Sequence, residues 1–170
     1  MANQIWLLLS HAVGNMGRHA GYFEALARLP DEHLAAAKRL ISLDVERTAR
    51  GLTPEIKEAI SRVLLCFAKR NAEVGYCQGM NFICYFLIEM GFEEEQAFWL
   101  ITHLVENVMP YGFYVNMTPV IADLEIFRHI LQERQPWFYR EVTRKGFDLQ
   151  SLLVPFFVTL FTNLKNKEVG

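Results

Sequence analysis

The sequence lacks the features that several common protein classes require. It contains no CxxC pair and only three cysteines, Cys66, Cys77 and Cys84, each in an apolar surrounding. An odd number of cysteines argues against a disulfide framework and indicates a reducing compartment. The five histidines are scattered without an HExxH pattern, so the sequence predicts no protein-bound metal.

Long apolar runs and a strong positive charge are absent as well. The longest apolar stretch, residues 152–161, is interrupted by Pro155 and Thr159 and is far shorter than the roughly 20 residues of a membrane span. The formal net charge is −2, and basic residues form only local pairs such as Lys69-Arg70. These absences predict a soluble cytosolic domain with no transmembrane segment and no nucleic-acid partner.

What the chain does have is many apolar and aromatic residues at helical spacing. It has 170 residues, of which 52% are hydrophobic and 13% aromatic, enough for one domain with a sizeable core. So many aromatic side chains cannot all be buried in a body of this size. We therefore expect some of them at a groove, at an interface or against a part of the domain that this chain lacks.

Capping signals mark the predicted helices. Thr53-Pro54-Glu55 combines a capping residue, a first-turn proline and a first-turn acid, which predicts a helix that begins there. An apolar helix is predicted over residues 78–90, with Gly91 as its stop, and Glu93 to Glu95 begin another. Further helices are predicted from Ile5 to a stop at Gly14, over residues 31–40 and 120–131, between Pro136 and Gly146, and over residues 149–162. No segment shows strand alternation, so the predicted fold class is all-α, as a single multi-helix domain.

Two short motifs carry side chains suited to phosphoryl-transfer chemistry. The first is residues 41–48, ISLDVERT, which offers Arg47, and the second is residues 76–81, YCQGMN, which offers Gln78. Arginine is always charged, and its planar fork can span two phosphate oxygens. A glutamine amide both accepts and donates hydrogen bonds, so it can orient an attacking water without titrating. A slow GTP hydrolysis reaction lacks these two groups.

Neighbouring motif residues are predicted to support these two side chains. If the first motif is helical, Asp44 faces the same way as Arg47, three residues later, and holds its guanidinium. Thr48 is expected to cap the helix or hydrogen-bond locally, and Tyr76 belongs to the same supporting set. Gly79 suits a position where the backbone approaches a ligand or partner closely.

Each motif alone also has an ordinary interpretation. An arginine at a helix end is usually a solvated surface residue, and a YxQG segment is usually a turn. Their joint occurrence, in this order and separated by a helix, favours a functional interpretation.

In that order the motifs resemble those of the TBC-domain family of Rab GTPase-activating proteins, and the resemblance extends along most of the chain. The first family motif, IxxDxxRT, is matched by Ile41, Asp44, Arg47 and Thr48. The second, YxQGM followed by a small polar residue, is matched by Tyr76, Gln78, Gly79, Met80 and Asn81. Trp6 to Leu9, Ala97 to Trp99 and Phe156 to Phe161 also resemble family segments.

The resemblance implies a GTPase-activating function in vesicle trafficking. Arg47 would be an arginine finger and Gln78 a glutamine finger, supplied in trans to a Rab, so the chain would not be a stand-alone hydrolase. GTP and Mg²⁺ would arrive with the GTP-bound Rab, and the chain would need no cofactor of its own. The expected location is cytoplasmic and peripheral to endomembranes. Residues 1–170 would form one TBC domain that lacks its C-terminal helices, because the family's domain continues further.

Two other interpretations stay open. The first is a catalytically silent TBC-like module that binds or scaffolds Rabs. Intact Arg47 and Gln78 argue against it, because non-catalytic members of the family tend to lack one or both fingers. The second is an unrelated helical interaction domain, in which the motifs would be coincidence.

Overall fold

The computed structural model describes residues 2–167, and within that range the chain forms helices and turns and no strand. This confirms the predicted all-α fold class. The α-helices are α1 (Ala2–Leu9), α2 (Ala12–Arg18), α3 (Tyr22–Arg28), α4 (Ala35–Glu46), α5 (Pro54–Arg70), α6 (Met80–Glu89), α7 (Glu94–His103), α8 (Thr118–Arg134), α9 (Pro136–Arg144) and α10 (Leu149–Val158). Glu32–Leu34 and Thr162–Lys167 are 3₁₀-helical, and Leu104–Val108 is a π-helical turn after α7.

Helix α5 lies at the centre of the core, with α3, α4, α6 and α7 packed around it. It begins where predicted, because the Thr53 hydroxyl accepts a hydrogen bond from the Ile56 backbone N–H at 3.4 Å and Pro54 needs no partner in the first turn. The side chains of its inner face are fully buried: Ile60, Val63, Leu64 and Phe67. Burial of this face fixes the helices that carry the two motifs.

Helix α6 begins within the second motif and is buried on most sides. It begins at Met80 rather than at Gln78, because Gly79 has φ +111°, outside the helical range. Gly91, with φ +85°, lies just past its end, as predicted for a C-terminal stop. Helix α7 then begins with a capping box between Glu93 and Gln96.

The N-terminal segment is two helices, so the prediction of one helix ended by Gly14 was wrong. The chain breaks at His11, whose φ is 56°, and Gly14 lies inside α2. After the break, α2 packs against α7 and buries Ala12. Helix α1 leaves Leu8 and Leu9 exposed.

The C-terminal part of the described chain folds back onto the second motif. Helix α10 was predicted to reach residue 162, but it ends at Val158 because Leu160 and Phe161 adopt left-handed φ values of 50° and 63°. The turn brings Val158 against Gly79. Helix α9 packs on α8, and α8 packs on α10.

Several aromatic side chains remain exposed, as expected from their number. Trp6, Trp137 and Tyr111 are each more than half exposed. No helix among the described residues is both long and apolar enough to cross a membrane.

Candidate functional site

The first motif occupies the last turns of α4 and the residues just after it. Ile41 and Val45 are buried and hold this end of the helix to the core. Asp44 lies on the same buried side, with 3% of its surface exposed. Arg47 is the residue that ends the helix, and its side chain is 59% exposed. The motif therefore buries Ile41, Asp44 and Val45 and projects its arginine.

The buried Asp44 carboxylate has two partners. The Arg47 guanidinium donates to Oδ1, and the Tyr76 hydroxyl donates to Oδ2 at 2.6 Å. Burial raises the pKa of the Tyr76 phenol, and the hydrogen bond to Asp44 raises it further, so the hydroxyl remains a donor at neutral pH. Asp44 thus restrains the Arg47 guanidinium from the buried side, and Tyr76 of the second motif restrains Asp44 in turn.

A second link between the motifs runs through Asn81, which is 1% exposed. Its Nδ2 donates to Thr48 Oγ1 at 2.8 Å and to the Asp44 carbonyl oxygen at 3.4 Å. Its Oδ1 accepts from the Gly79 backbone N–H at 3.0 Å. Thr48 Oγ1 in turn donates to the Asp44 carbonyl oxygen at 2.8 Å. Buried hydrogen bonds between residues more than 30 positions apart in sequence therefore join the two motifs.

The second motif places Gln78 in the turn before α6. Gln78 is exposed, and its side chain has no hydrogen-bond partner among the residues that the structure describes. Gly79 was predicted to let the backbone approach a ligand or partner, and its close neighbour in the structure is Val158 of the same chain. A Cβ at Gly79 would lie 2.9 Å from Val158 Cγ2 and 3.3 Å from the Val158 carbonyl oxygen. That carbonyl also accepts a 3.1 Å hydrogen bond from the Tyr114 hydroxyl, which keeps it in place.

Arg47 and Gln78 open onto neighbouring cavities. The Arg47 cavity has a volume of about 540 Å³, and the Gln78 cavity has a volume of about 290 Å³. Phe82 and Asn163 line both of them. The two exposed side chains therefore lie in cavities that share part of their lining.

The Arg47 cavity is positively charged. Arg47, Arg50 and Lys57 line it together with one carboxylate, Glu46. Glu46 is paired with Lys57 at 2.5 Å, and Arg50 has no ion-pair partner within the described part of the chain. An anionic group entering this cavity would be attracted by side chains whose charges are only partly compensated.

The residues that the structure describes include no candidate metal centre. Within residues 2–167, no group of three or more His, Cys, Asp or Glu is arranged to hold a metal ion. The three cysteines are free thiols and are buried. Burial raises the pKa of the Cys66 thiol to about 11, which makes it unreactive at neutral pH.

Sequence reasoning missed the role of Asn81 in joining the motifs, and it missed the contributions of Val158, Phe82 and Asn163. For Asn81 a signal existed. It is a polar residue in the first turn of a helix that is otherwise apolar nearly all round, and a buried amide must find hydrogen-bond partners. The other three residues come from parts of the chain whose packing on the motifs leaves no local pattern.

Comparisons with known proteins point in the same direction as the motifs. The family model for the Rab-GTPase-TBC domain matches residues 3–168. The growth hormone-regulated TBC protein 1 of Xenopus laevis is 28% identical over 169 residues, which cover 95% of this chain and 49% of that protein. The human protein of the same name is 29% identical over 168 residues, covering 95% of this chain and 49% of its own length. The chain thus spans about half the length of these relatives.

A solved structure is similar along nearly the whole chain. The crystal structure of the Chlamydomonas flagellar RabGAP TBC domain superposes with a TM-score of 0.78 at 26% sequence identity. The match covers 94% of this chain and 54% of that one.

Proposed function

Because the chain belongs to the Rab-GTPase-TBC domain family, we propose that it stimulates GTP hydrolysis by Rab-type small GTPases. One observation carries this proposal. Buried hydrogen bonds join the two motifs and leave Arg47 and Gln78 exposed on adjoining cavities. A GTPase could therefore meet both side chains at once, and the chain would act by supplying them in trans to a nucleotide bound elsewhere.

In this proposal Arg47 stabilises the charge that develops on the transferring phosphoryl group. Its pairing with Asp44 restricts the guanidinium before the partner arrives, and its exposure leaves the remaining N–H donors available. An arginine supplied in trans accelerates hydrolysis by about 10³- to 10⁵-fold. That corresponds to roughly 4–7 kcal/mol of activation free energy.

Gln78 would position the attacking water. Its exposed amide has no internal partner in the described residues, so neither its carbonyl nor its NH₂ must be released before it can contact water. Gly79 and the start of α6 fix the backbone beneath it. The nucleotide and its Mg²⁺ would be bound by the Rab, so the chain would need no cofactor of its own. We place the protein in the cytoplasm, at the surface of endomembranes that carry Rabs, in vesicle trafficking.

Single-turnover GTP hydrolysis across a panel of GTP-loaded Rab GTPases tests the proposal. The unsubstituted chain is expected to accelerate one or a few of them, and Arg47→Ala or Gln78→Ala should each remove orders of magnitude of that acceleration. Arg144→Ala is a matched control, because Arg144 also forms an i,i+3 ion pair, with Glu141, but on α9. Gln135→Ala, at another helix end, controls for loss of an exposed amide.

The outcomes separate the candidate functions. Full stimulation by both finger variants would contradict the assignment of Arg47 and Gln78. Tight binding of a GTP-loaded Rab without stimulation by the unsubstituted chain would instead indicate a silent binding module. Circular dichroism of every variant must show unchanged helicity, so that lost activity is not lost fold.

A further inference from the structure

Asn81 is bonded to the residue that follows each proposed finger. Its Nδ2 donates to the side chain of Thr48, which follows Arg47, at 2.8 Å. Its Oδ1 accepts from the backbone N–H of Gly79, which follows Gln78, at 3.0 Å. One buried amide therefore contacts both finger segments, whose own residues lie 31 positions apart in sequence.

We propose that Asn81 is a positioning residue that sets the spacing between Arg47 and Gln78. This inference rests on the proposed function, and it goes beyond it by naming the group that keeps both fingers in register. Asn81 touches neither nucleotide nor partner, because it is almost fully buried. It acts on the reaction only through its contacts with the Thr48 side chain and the Gly79 backbone.

The chemistry of the site requires an amide at this position. Thr48 Oγ1 donates its proton to the Asp44 carbonyl oxygen, so it can only accept from residue 81. The Gly79 N–H can only donate to it. A side chain that donates on one side and accepts on the other meets both demands, whereas a carboxylate only accepts and an aliphatic side chain does neither.

The network also explains why a carboxylate would be disruptive here. Tyr76 has a single hydroxyl proton, which it donates to Asp44 at 2.6 Å, while its oxygen lies 3.3 Å from Asn81 Oδ1. A carboxylate at position 81 would compete for that proton and add a second negative charge beside buried Asp44. Asn81→Asp is therefore nearly isosteric but chemically wrong, which makes it the informative substitution.

A purely structural role predicts a different result from a positioning role. If Asn81 only stabilises the fold, Asn81→Asp lowers the midpoint of unfolding and leaves the reaction of the folded fraction intact. If it positions the fingers, the maximal stimulated rate falls while the concentration needed for half-maximal stimulation changes little. Misplacement of a catalytic group by about 1 Å costs on the order of 100-fold in rate.

The test compares Asn81→Asp with Asn71→Asp in single-turnover hydrolysis at varied concentrations of the chain. Asn71 is the control, because its Oδ1 also accepts from a backbone N–H, that of Val74 at 3.1 Å, and because it lines a cavity that contains neither Arg47 nor Gln78. We expect Asn81→Asp to lower the maximal rate by roughly 10- to 100-fold and Asn71→Asp to lower it by less than about 2-fold. Equal effects of the two would overturn the proposal.

A double-mutant comparison with a finger variant measures an effect on the hydrolysis rate that a loss of stability alone would not produce. Added to Gln78→Ala, Asn81→Asp should cost less than it costs alone, because one of the two fingers that it positions is already gone. Full additivity would overturn the proposal. If Asn81→Asp fails to fold, Thr48→Val and Thr48→Ser replace it. Thr48→Val removes the oxygen that accepts from Asn81 and should lower the maximal rate, whereas Thr48→Ser keeps that oxygen and should retain the rate.

Nuclear magnetic resonance of the free chain separates this inference from the proposed function. The side-chain signals of Arg47 Nε–H and Gln78 Nε2–H₂ should both shift in Asn81→Asp and not in Asn71→Asp. If the unsubstituted chain stimulates no Rab, the proposed function fails, but this measurement still decides the positioning role. Unchanged signals for both side chains would overturn it.

Discussion

The Asp44 carboxylate divides its two oxygens between a side chain that faces solvent and one that does not. Arg47 is largely exposed on one side, and the Tyr76 hydroxyl is held in the interior on the other. A carboxylate in this position restricts the arginine without covering it. At the scale of single residues, the site is a set of short polar contacts placed beneath two exposed side chains.

Removing Asp44 should therefore give an intermediate loss of activity. Asp44→Ala leaves Arg47 charged and exposed but no longer restrained, so we expect stimulated hydrolysis to fall by roughly 10- to 100-fold, less than in Arg47→Ala. Single-turnover assays of both variants measure this. Glu141→Ala removes the carboxylate of the surface pair with Arg144 and serves as control. A loss in Asp44→Ala no larger than in that control would remove Asp44 from the site.

Contacts within one helix of this site could be predicted from the sequence, whereas contacts between the two motifs could not, and the difference has a physical cause. The i,i+3 spacing predicts that Asp44 and Arg47 share a helix face, and their side chains are indeed in contact. The contacts from Tyr76 to Asp44 and from Asn81 to Thr48 join residues more than 30 positions apart. Helical periodicity carries no information on such pairs, because they depend on how α4 packs against α6.

At the scale of elements, local signals located the helices better than they located the breaks between them. Thr53 and Gly91 mark helix ends through their own conformation and hydrogen bonding, so the sequence reveals them. The break at His11 is a non-glycine residue in the left-handed region, and α6 begins late because of the conformation at Gly79. Tertiary packing decides both, since α2 packs on α7 and the end of α10 lies against Gly79.

The contact between α10 and Gly79 predicts a large effect of a small substitution. Gly79→Ala must place a methyl group 2.9 Å from Val158 Cγ2 at a φ of +111°, so we expect it to lower the free energy of unfolding by on the order of 1–3 kcal/mol. Urea denaturation measures this. Gly21→Ala, also at positive φ but with open space around it, should cost less.

A second substitution isolates the clash from the backbone strain. Adding Val158→Ala to Gly79→Ala removes the nearest atom and should recover part of the lost stability, although the Val158 carbonyl oxygen stays 3.3 Å away. If Val158→Ala recovers no stability, and if Gly79→Ala and Gly21→Ala lower the free energy of unfolding equally, then Val158 does not pack tightly against Gly79.

At the scale of the whole molecule, the modest net charge of −2 hides two cavities of opposite sign. The Arg47 cavity has three cationic side chains and one carboxylate. A second cavity, of about 740 Å³, lies between α3, α5 and the start of α7 and has an excess of acidic side chains: Glu24, Glu58, Glu93, Glu94 and Glu95 against Arg28 and Arg62. Composition predicts no strong field, but the fold separates the charges so that an anionic surface would be attracted to the Arg47 cavity rather than to the acidic one.

This separation predicts how salt should affect the encounter with a Rab. Arg50 lines the Arg47 cavity without an ion-pair partner in the described chain, so Arg50→Gln should lower the association rate by roughly 3- to 10-fold at low ionic strength and flatten its salt dependence. Stopped-flow binding at several salt concentrations measures this.

Arg28→Gln is the matched control for that experiment, because it removes the same charge from the acidic cavity. If the charges of the Arg47 cavity steer the encounter, Arg28→Gln should leave the association rate unchanged, or lower it slightly because the net charge of the chain is more negative. The maximal rate of hydrolysis should be equal in both variants. Equal slowing by Arg28→Gln and Arg50→Gln would show that the total charge matters and its placement does not. The size of the effect therefore depends on where the fold places each arginine, since both residues contribute equally to the composition.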